Sequence, residues 1–122
     1  YFAYLEDTEL SLRSWRTGLS VRCVPSAEAF HHYEFSRNGL KMHLLERNRL
    51  MLLSTVWPAR GLMLLAPMLL ACEMLLFAYA IASGWGGGKL RGYVWLWRHR
   101  DHLKTRRRHL QAERTVPDAV WM

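Results

Sequence analysis

Apolar and polar residues in the first 24 positions follow two different periods. Over residues 8–16 leucines recur among arginines and a tryptophan in a helical pattern, and Gly18 follows where a helix would take a left-handed C-terminal residue. Glu6 and Asp7 precede this pattern, where the unpaired N–H groups of a helix favour negative charge. Residues 19–24 alternate with period two, which is typical of a strand. We therefore expect a helix, then a strand, with the carboxylate pair at the head of the helix.

A second helical pattern covers residues 40–56, where leucines mark one face and Pro58 stops the helix. Its middle carries the polar run Glu46-Arg47-Asn48-Arg49 in an otherwise apolar helix. Two interpretations stay open for this run. It is either a solvated helix face, or Arg47, Asn48 and Arg49 contact a membrane surface or an anionic ligand.

Residues 61–82 are the most apolar stretch, interrupted only by Pro67 and Glu73. The length suits a bilayer span of about 20 residues. The central acid costs roughly 2.5 to 3.5 kcal/mol in a membrane, which nearly cancels the gain from the apolar side chains. Basic residues flank both ends, so a single crossing would place one flank on the disfavoured side. We favour a bent helix or helical hairpin that lies in, or dips into, the cytoplasmic leaflet. A true transmembrane span is the second alternative, and a buried core helix of a soluble protein is the third.

The C-terminal third is strongly basic. The glycine-rich residues 84–88 predict a hinge. Over residues 89–100 the apolar positions recur with helical spacing, and tryptophans stand beside cations, as they do in helices that lie at a membrane interface. Residues 89–114 hold nine Lys/Arg against two Asp/Glu, out of a net charge of +7 for the chain. Such a block favours a polyanionic neighbour, and Arg106, Arg107 and Arg108 are the candidate contacts with a membrane surface or another anion.

The chain holds 122 residues and two cysteines, Cys23 and Cys72, without the spacing of a metal site. Both lie in apolar surroundings, so we expect buried free thiols. The chain opens on Tyr1 within a pattern that already resembles the middle of a domain. We therefore interpret it as a fragment of a longer protein.

Several spaced motifs resemble one known family. They are YFAYLEDTELSLR at residues 1–13, VPSAEAFHH at 24–32, LERNR at 45–49, and the tail that ends in Pro117-Asp118. Their order resembles the C-terminal half of a family 2 glycosyltransferase, closest to the bacterial rhamnosyltransferase-like enzymes of surface polysaccharide synthesis. The resemblance covers most of the chain and is strongest over residues 1–49.

The resemblance implies a GT-A fold, which is an α/β domain that binds a nucleotide-diphosphate sugar and a divalent cation, Mg²⁺ or Mn²⁺. It implies that Asp7 is the general base that deprotonates the acceptor hydroxyl, with Glu6 supporting it or contacting the acceptor. It also implies that His31 is a metal ligand. The family's nucleotide-binding half is not in these residues, so cofactor-binding residues stay unknown and the fragment alone is expected to be inactive.

The predicted organisation is the C-terminal part of an α/β GT-A domain followed by membrane-associated helices, with the fragment itself mostly α-helical. The segments are the GT-A part (1–39), a connecting helix (40–58), a membrane-associated or transmembrane helix (59–83), the hinge (84–88), and a basic amphipathic helix and tail (89–122).

The predicted function is transfer of a sugar from a nucleotide-diphosphate donor to a lipid-linked or polysaccharide acceptor, with inversion, at the cytoplasmic face of the cell membrane. The protein would be membrane-associated or single-pass. The alternative is a non-catalytic basic module that binds membrane or nucleic acid. We expect no nucleic-acid partner, because no recognition motif accompanies the basic block.

Overall fold

The computed structural model describes residues 3–30, 32 and 39–117. All regular secondary structure within these residues is helical. The helices are α1 (Glu6–Arg16), α2 (Gly39–Thr55), α3 (Ala59–Ala82), α4 (Gly86–Arg98) and α5 (Arg100–Ala112). The prediction of a mostly α-helical chain is confirmed, while the α/β assignment of residues 1–39 stays a prediction.

The strand predicted for residues 19–24 is wrong in this structure. Residues 19–30 are exposed and form no helix or strand, and Pro25 and Ser26 form a turn. A strand needs a neighbour to pair its N–H and C=O groups, and the described residues offer none. The alternating pattern alone therefore does not make a strand here.

Helices α2 and α4 pack side by side at a contact made of small residues. A Cβ added at Gly88 would lie 3.3 Å from the carbonyl oxygen of Gly39, and one added at Gly92 would lie 3.4 Å from the backbone nitrogen of Arg47. Glycines spaced four apart share one helix face and let two helix backbones approach closely. The Gly88-x-x-x-Gly92 contact thus fixes α4 against the polar middle of α2.

Helices α3 and α4 form an antiparallel hairpin. The turn is short, because Gly86 to Gly88, assigned to the hinge from the sequence, already form the first turn of α4. Gly84 adopts a φ of +76°, which glycine reaches without a steric penalty. Across the hairpin, Lys89 of α4 lies 2.8 Å from a carboxylate oxygen of Glu73 near the middle of α3. The hairpin therefore returns the chain toward the N-terminal end of α3.

Helix α3 is long and apolar enough to cross a membrane, judged by length and composition alone, and it is the one such helix among the described residues. Its outer surface is apolar and largely exposed to solvent. The large exposed side chains are Met63, Leu64, Met68, Leu70, Met74, Leu75, Tyr79 and Ile81. Glu73 faces the other way, toward α2 and α4. The outer face of α3 therefore carries no charged side chain between Gly61 and Ala82.

Helix α5 closes the other end of the molecule. Leu110 packs with Leu52 and Val56 from the end of α2, and Leu12 of α1 packs against this cluster. This small apolar core holds α1 onto the α2–α5 body. Leucines at these positions fit the helical patterns read from the sequence.

The two cysteines are free, but both are exposed, so the expectation of buried thiols is wrong. Cys23 lies in the irregular segment after α1, and Cys72 lies on the outer face of α3. Apolar neighbours in sequence did not predict burial, because neighbours on a helix point to several different faces.

Candidate functional site

The predicted catalytic pair lies in the first turn of α1. Glu6 and Asp7 are both exposed, and the backbone N–H of Thr8 donates a 2.8 Å hydrogen bond to Oδ1 of Asp7. No ion pair involves either carboxylate within residues 3–30, 32 and 39–117. A carboxylate that is open to solvent and has free acceptor positions can accept the proton of an incoming hydroxyl.

Buried polar contacts anchor α1 along its length. Glu9, 5% exposed, accepts a 2.8 Å hydrogen bond from Nη2 of Arg106. At the other end of the helix, Arg16 donates a 2.6 Å hydrogen bond to Oε1 of Gln111. The backbone carbonyl of Arg16 also accepts from the N–H groups of Thr115 and Val116. Helix α1 is thereby fixed to α5 while Glu6 and Asp7 point to solvent.

An unusual backbone turn precedes the carboxylate pair. Ala3, Tyr4 and Leu5 have φ values of 52°, 68° and 64°. Left-handed backbone costs a non-glycine residue about 1 kcal/mol or more, so it persists only where its surroundings impose it. The carbonyls of Ala3 and Tyr4 accept hydrogen bonds of 2.7 and 2.8 Å from the side-chain amide of Asn48.

The side chains of the polar run Glu46 to Arg49 in α2 contact different parts of the molecule. Asn48 is 0% exposed and Glu46 is 6% exposed, so a solvated helix face is excluded for these two positions. Arg47 donates to Oδ1 of Asn48 at 2.9 and 3.0 Å and stacks over the ring of Trp95. Burial lowers the pKa of the Arg47 guanidinium. A contact of Arg47, Asn48 and Arg49 with a membrane surface or anion stays a prediction.

Glu46 and Arg49 belong instead to an ion-pair cluster between three helices, formed by Glu46, Arg49, Glu73, Lys89 and Tyr93. Nζ of Lys89 is fully buried and lies 2.5 Å from Glu46 and 2.8 Å from Glu73. Arg49 bridges the same two carboxylates, and the hydroxyl of Tyr93 donates to Glu73. Two cations face two anions, so the cluster is neutral.

The cluster shifts the pKa values of Arg49 and Tyr93. Burial, followed by the hydrogen bond to Glu73, raises the pKa of Tyr93 above its ordinary range. For Arg49, burial lowers the pKa, but the hydrogen bonds to Glu46 and Glu73 outweigh it and the net direction is upward. Both groups therefore hold the protonated form that the neutral cluster requires.

The three consecutive arginines of α5, residues 106–108, have different surroundings. Arg106 pairs with Glu9, and Arg107 donates to the carbonyls of Ser54 and Trp57 at 2.8 and 3.0 Å. Arg108 is exposed. Of the three arginines predicted to contact an anionic surface, two thus hold the fold together, and Arg108 presents its side chain to solvent.

The predicted metal ligand His31 lies outside the described residues. Within the described part of the chain, no three His, Cys, Asp or Glu side chains come together so that they could hold a metal ion. The divalent cation therefore stays a prediction from the family resemblance.

Sequence reasoning missed two residues that organise this site, Glu9 and Lys89. Glu9 could have been recognised because it shares a helix face with Leu12 and Arg16, at spacings of three and seven. Lys89 stands between Gly88 and Gly92, and that spacing marks a close helix contact. Lys89 is buried beside this contact, and a buried charge needs a partner; Arg91, which also flanks Gly92, is exposed, so the spacing alone does not single out Lys89.

Comparisons of the chain with protein-family models, with curated proteins and with solved structures found no match.

Proposed function

We propose that this chain is the C-terminal part of a membrane-associated inverting glycosyltransferase of the family 2 type, with a GT-A catalytic domain. It would move a sugar from a nucleotide-diphosphate donor to a lipid-linked or polysaccharide acceptor at the cytoplasmic face of the membrane. The observation that carries the proposal is the exposed Glu6-Asp7 pair on a helix with buried anchors, within the motif that resembles this family.

In the proposed reaction Asp7 accepts the proton of the acceptor hydroxyl. The hydroxyl oxygen then forms a bond to the anomeric carbon, while the bond from that carbon to the diphosphate oxygen breaks on the opposite face. The nucleoside diphosphate leaves with the bonding electrons, and the configuration inverts. Glu6, adjacent to Asp7 and also exposed, supports Asp7 or contacts the acceptor.

The α3–α4 hairpin supports the proposed membrane attachment. Arg107 of α5 binds carbonyls at the α2–α3 connection, so the basic C-terminal block returns to the end of α3 that carries Arg60. Arg60 and the basic run of α5 then lie at one end of the hairpin, so a hairpin that enters and leaves from one side keeps these cations on that side, in line with the positive-inside preference. Lys89 and Arg91 lie near the α3–α4 turn instead, where Lys89 is buried in ion pairs and Arg91 is exposed. The apolar outer face of α3 would then contact lipid.

The divalent cation and the nucleotide belong to this proposal through the family resemblance. Within it, His31 would contribute one ligand, and the remaining ligands would come from the nucleotide-binding half. A cation there would offset the charge of the departing diphosphate.

The test is turnover by the full-length protein in detergent with Mg²⁺ or Mn²⁺. A panel of nucleotide sugars with a lipid acceptor is screened for release of nucleoside diphosphate. Asp7→Asn should lower kcat by about 10² to 10⁴, because it removes the base, while donor binding persists. Asp101→Asn is the matched control, since Asp101 is an exposed aspartate in the first turn of α5.

Equal turnover of the wild-type and Asp7→Asn proteins would remove Asp7 from the mechanism. Absence of turnover with every donor would favour the non-catalytic alternative. In that case, binding to anionic vesicles or nucleic acid should fall with salt and be insensitive to Asp7→Ala.

A further inference from the structure

The side chain of Asn48 is fully engaged and fully buried. Its amide nitrogen donates to the carbonyls of Ala3 and Tyr4, and its amide oxygen accepts twice from Arg47. An Asn side chain offers two N–H donors and two acceptor sites, so every one of them is used. The amide therefore has one orientation, and turning it over would break four hydrogen bonds.

The residues that Asn48 holds are those that set the direction of α1. Ala3, Tyr4 and Leu5 form the left-handed turn, and Leu5 caps α1 without a side-chain hydrogen bond to the helix. The first hydrogen bond after the turn runs from the N–H of Glu9 to the carbonyl of Leu5 at 2.9 Å. Glu6 and Asp7 lie inside this loop of backbone, so the turn fixes where their carboxylates point.

We propose that Asn48 is a positioning residue for the Glu6-Asp7 pair, acting through the left-handed turn of Ala3 to Leu5. This inference rests on the proposed function where it concerns catalysis. It assigns different tasks to neighbours in the Leu-Glu-Arg-Asn-Arg motif. Glu46 and Arg49, three residues apart, face the ion-pair cluster, while Asn48 binds the carboxylate-bearing turn. Arg47 lies over Trp95 of α4 and binds the amide oxygen of Asn48. The motif thus connects the helical body to the catalytic pair.

The test compares two substitutions at fully buried polar residues of α2. Asn48→Leu removes the hydrogen bonds to the turn and keeps a side chain of similar volume. Thr55→Val is the matched control, because among the described residues the Thr55 hydroxyl bonds only to the carbonyl of Met51 in its own helix. Hydrogen exchange of the Glu9 amide is measured in the full-length protein in detergent, together with exchange in α2 and α4.

Asn48→Leu is expected to raise exchange at Glu9 at least tenfold, with α2 and α4 unchanged, and Thr55→Val is expected to leave Glu9 at the wild-type rate. With an active donor, Asn48→Leu should lower kcat at least tenfold at unchanged donor KM, at a melting temperature matched to Thr55→Val. Unchanged exchange at Glu9 in Asn48→Leu overturns the inference whatever the turnover. Wild-type protein without turnover overturns the proposed function, and the exchange comparison still decides whether Asn48 fixes the turn.

Discussion

Two pairs of carboxylates in this chain have opposite surroundings. Glu46 and Glu73 lie between helices, and the cations of Lys89 and Arg49 neutralise both. Glu6 and Asp7 lie at the start of α1, exposed to solvent. Removing a charge from water costs several kcal/mol, so the first pair exists only with fixed partners. The second pair is open to solvent, apart from the hydrogen bond that Oδ1 of Asp7 accepts from the N–H of Thr8. Burial and pairing thus separate structural acids from acids that are available for chemistry.

The difference also explains how an acid stands in the middle of α3. Glu73 interrupts an apolar helix, yet its carboxylate points to α2 and α4 rather than to the apolar outer face. The penalty estimated from the sequence assumed an unpaired acid in lipid. Pairing inside the helical body reduces that penalty, because intramembrane charges are tolerated where they face protein partners.

Removing the central cation should have the largest effect on stability. Lys89→Met leaves two close carboxylates with only Arg49 between them, so we expect a loss of about 3 to 5 kcal/mol in the free energy of unfolding. Chemical denaturation in detergent, followed by tryptophan fluorescence, measures it. The control is Lys104→Met, since Lys104 is exposed and its pair with Asp101 spans 3.4 Å. Equal stability of the two variants would contradict a structural role for the cluster.

A double-mutant cycle sharpens the same point. In the Lys89→Met background, Glu73→Gln removes an uncompensated charge, so its cost should be lower than in the wild type by at least about 1 kcal/mol. The measurement is the unfolding free energy of the four proteins of the cycle. Purely additive costs would mean that Lys89 and Glu73 do not interact energetically, despite their 2.8 Å contact.

The contact that brings Lys89 to Glu46 depends on glycine. Gly88→Ala places a methyl group against the backbone of Gly39 and His43, so we expect overpacking to destabilise the protein by about 1 to 3 kcal/mol. The higher helix propensity of alanine offsets up to about 1 kcal/mol of this loss. Thermal unfolding monitored by circular dichroism measures the net change. Gly87→Ala is the matched control, because an added Cβ there meets nothing within 4 Å. It should stabilise the helix slightly, and the opposite order of the two variants would contradict the close contact.

Neutralising the exposed pair should have the smallest effect on stability. Glu6→Gln and Asp7→Asn remove no buried contact, so we expect changes within about 0.5 kcal/mol. Denaturation midpoints of each variant against the wild-type protein check this. A large loss of stability would mean that the pair supports the fold. Loss of activity in Asp7→Asn could then not be assigned to chemistry.

Local patterns predicted α2 and α3 well, but the single helix expected after residue 89 is two helices, α4 and α5, which meet at His99. The pattern over residues 40–56 became Gly39–Thr55, and the apolar stretch of 61–82 lies within Ala59–Ala82. Helix formation depends on spacing along the chain, which the sequence states directly. The strand at 19–24 failed because a strand needs partners that its own residues do not specify.

The sequence by itself determined where the helices form, where charge accumulates and which acids head α1. Only the tertiary structure decided which charges are buried, because burial depends on the face that each helix turns to its neighbours. Arg49, Arg106 and Arg107 look alike as cations in the sequence, yet each binds a different internal partner. Asn48 gained its role in the same way, since its partners lie more than forty residues earlier in the chain. Such long-range pairings come from the packing of α1, α2, α3 and α5 against one another, and no local pattern encodes them.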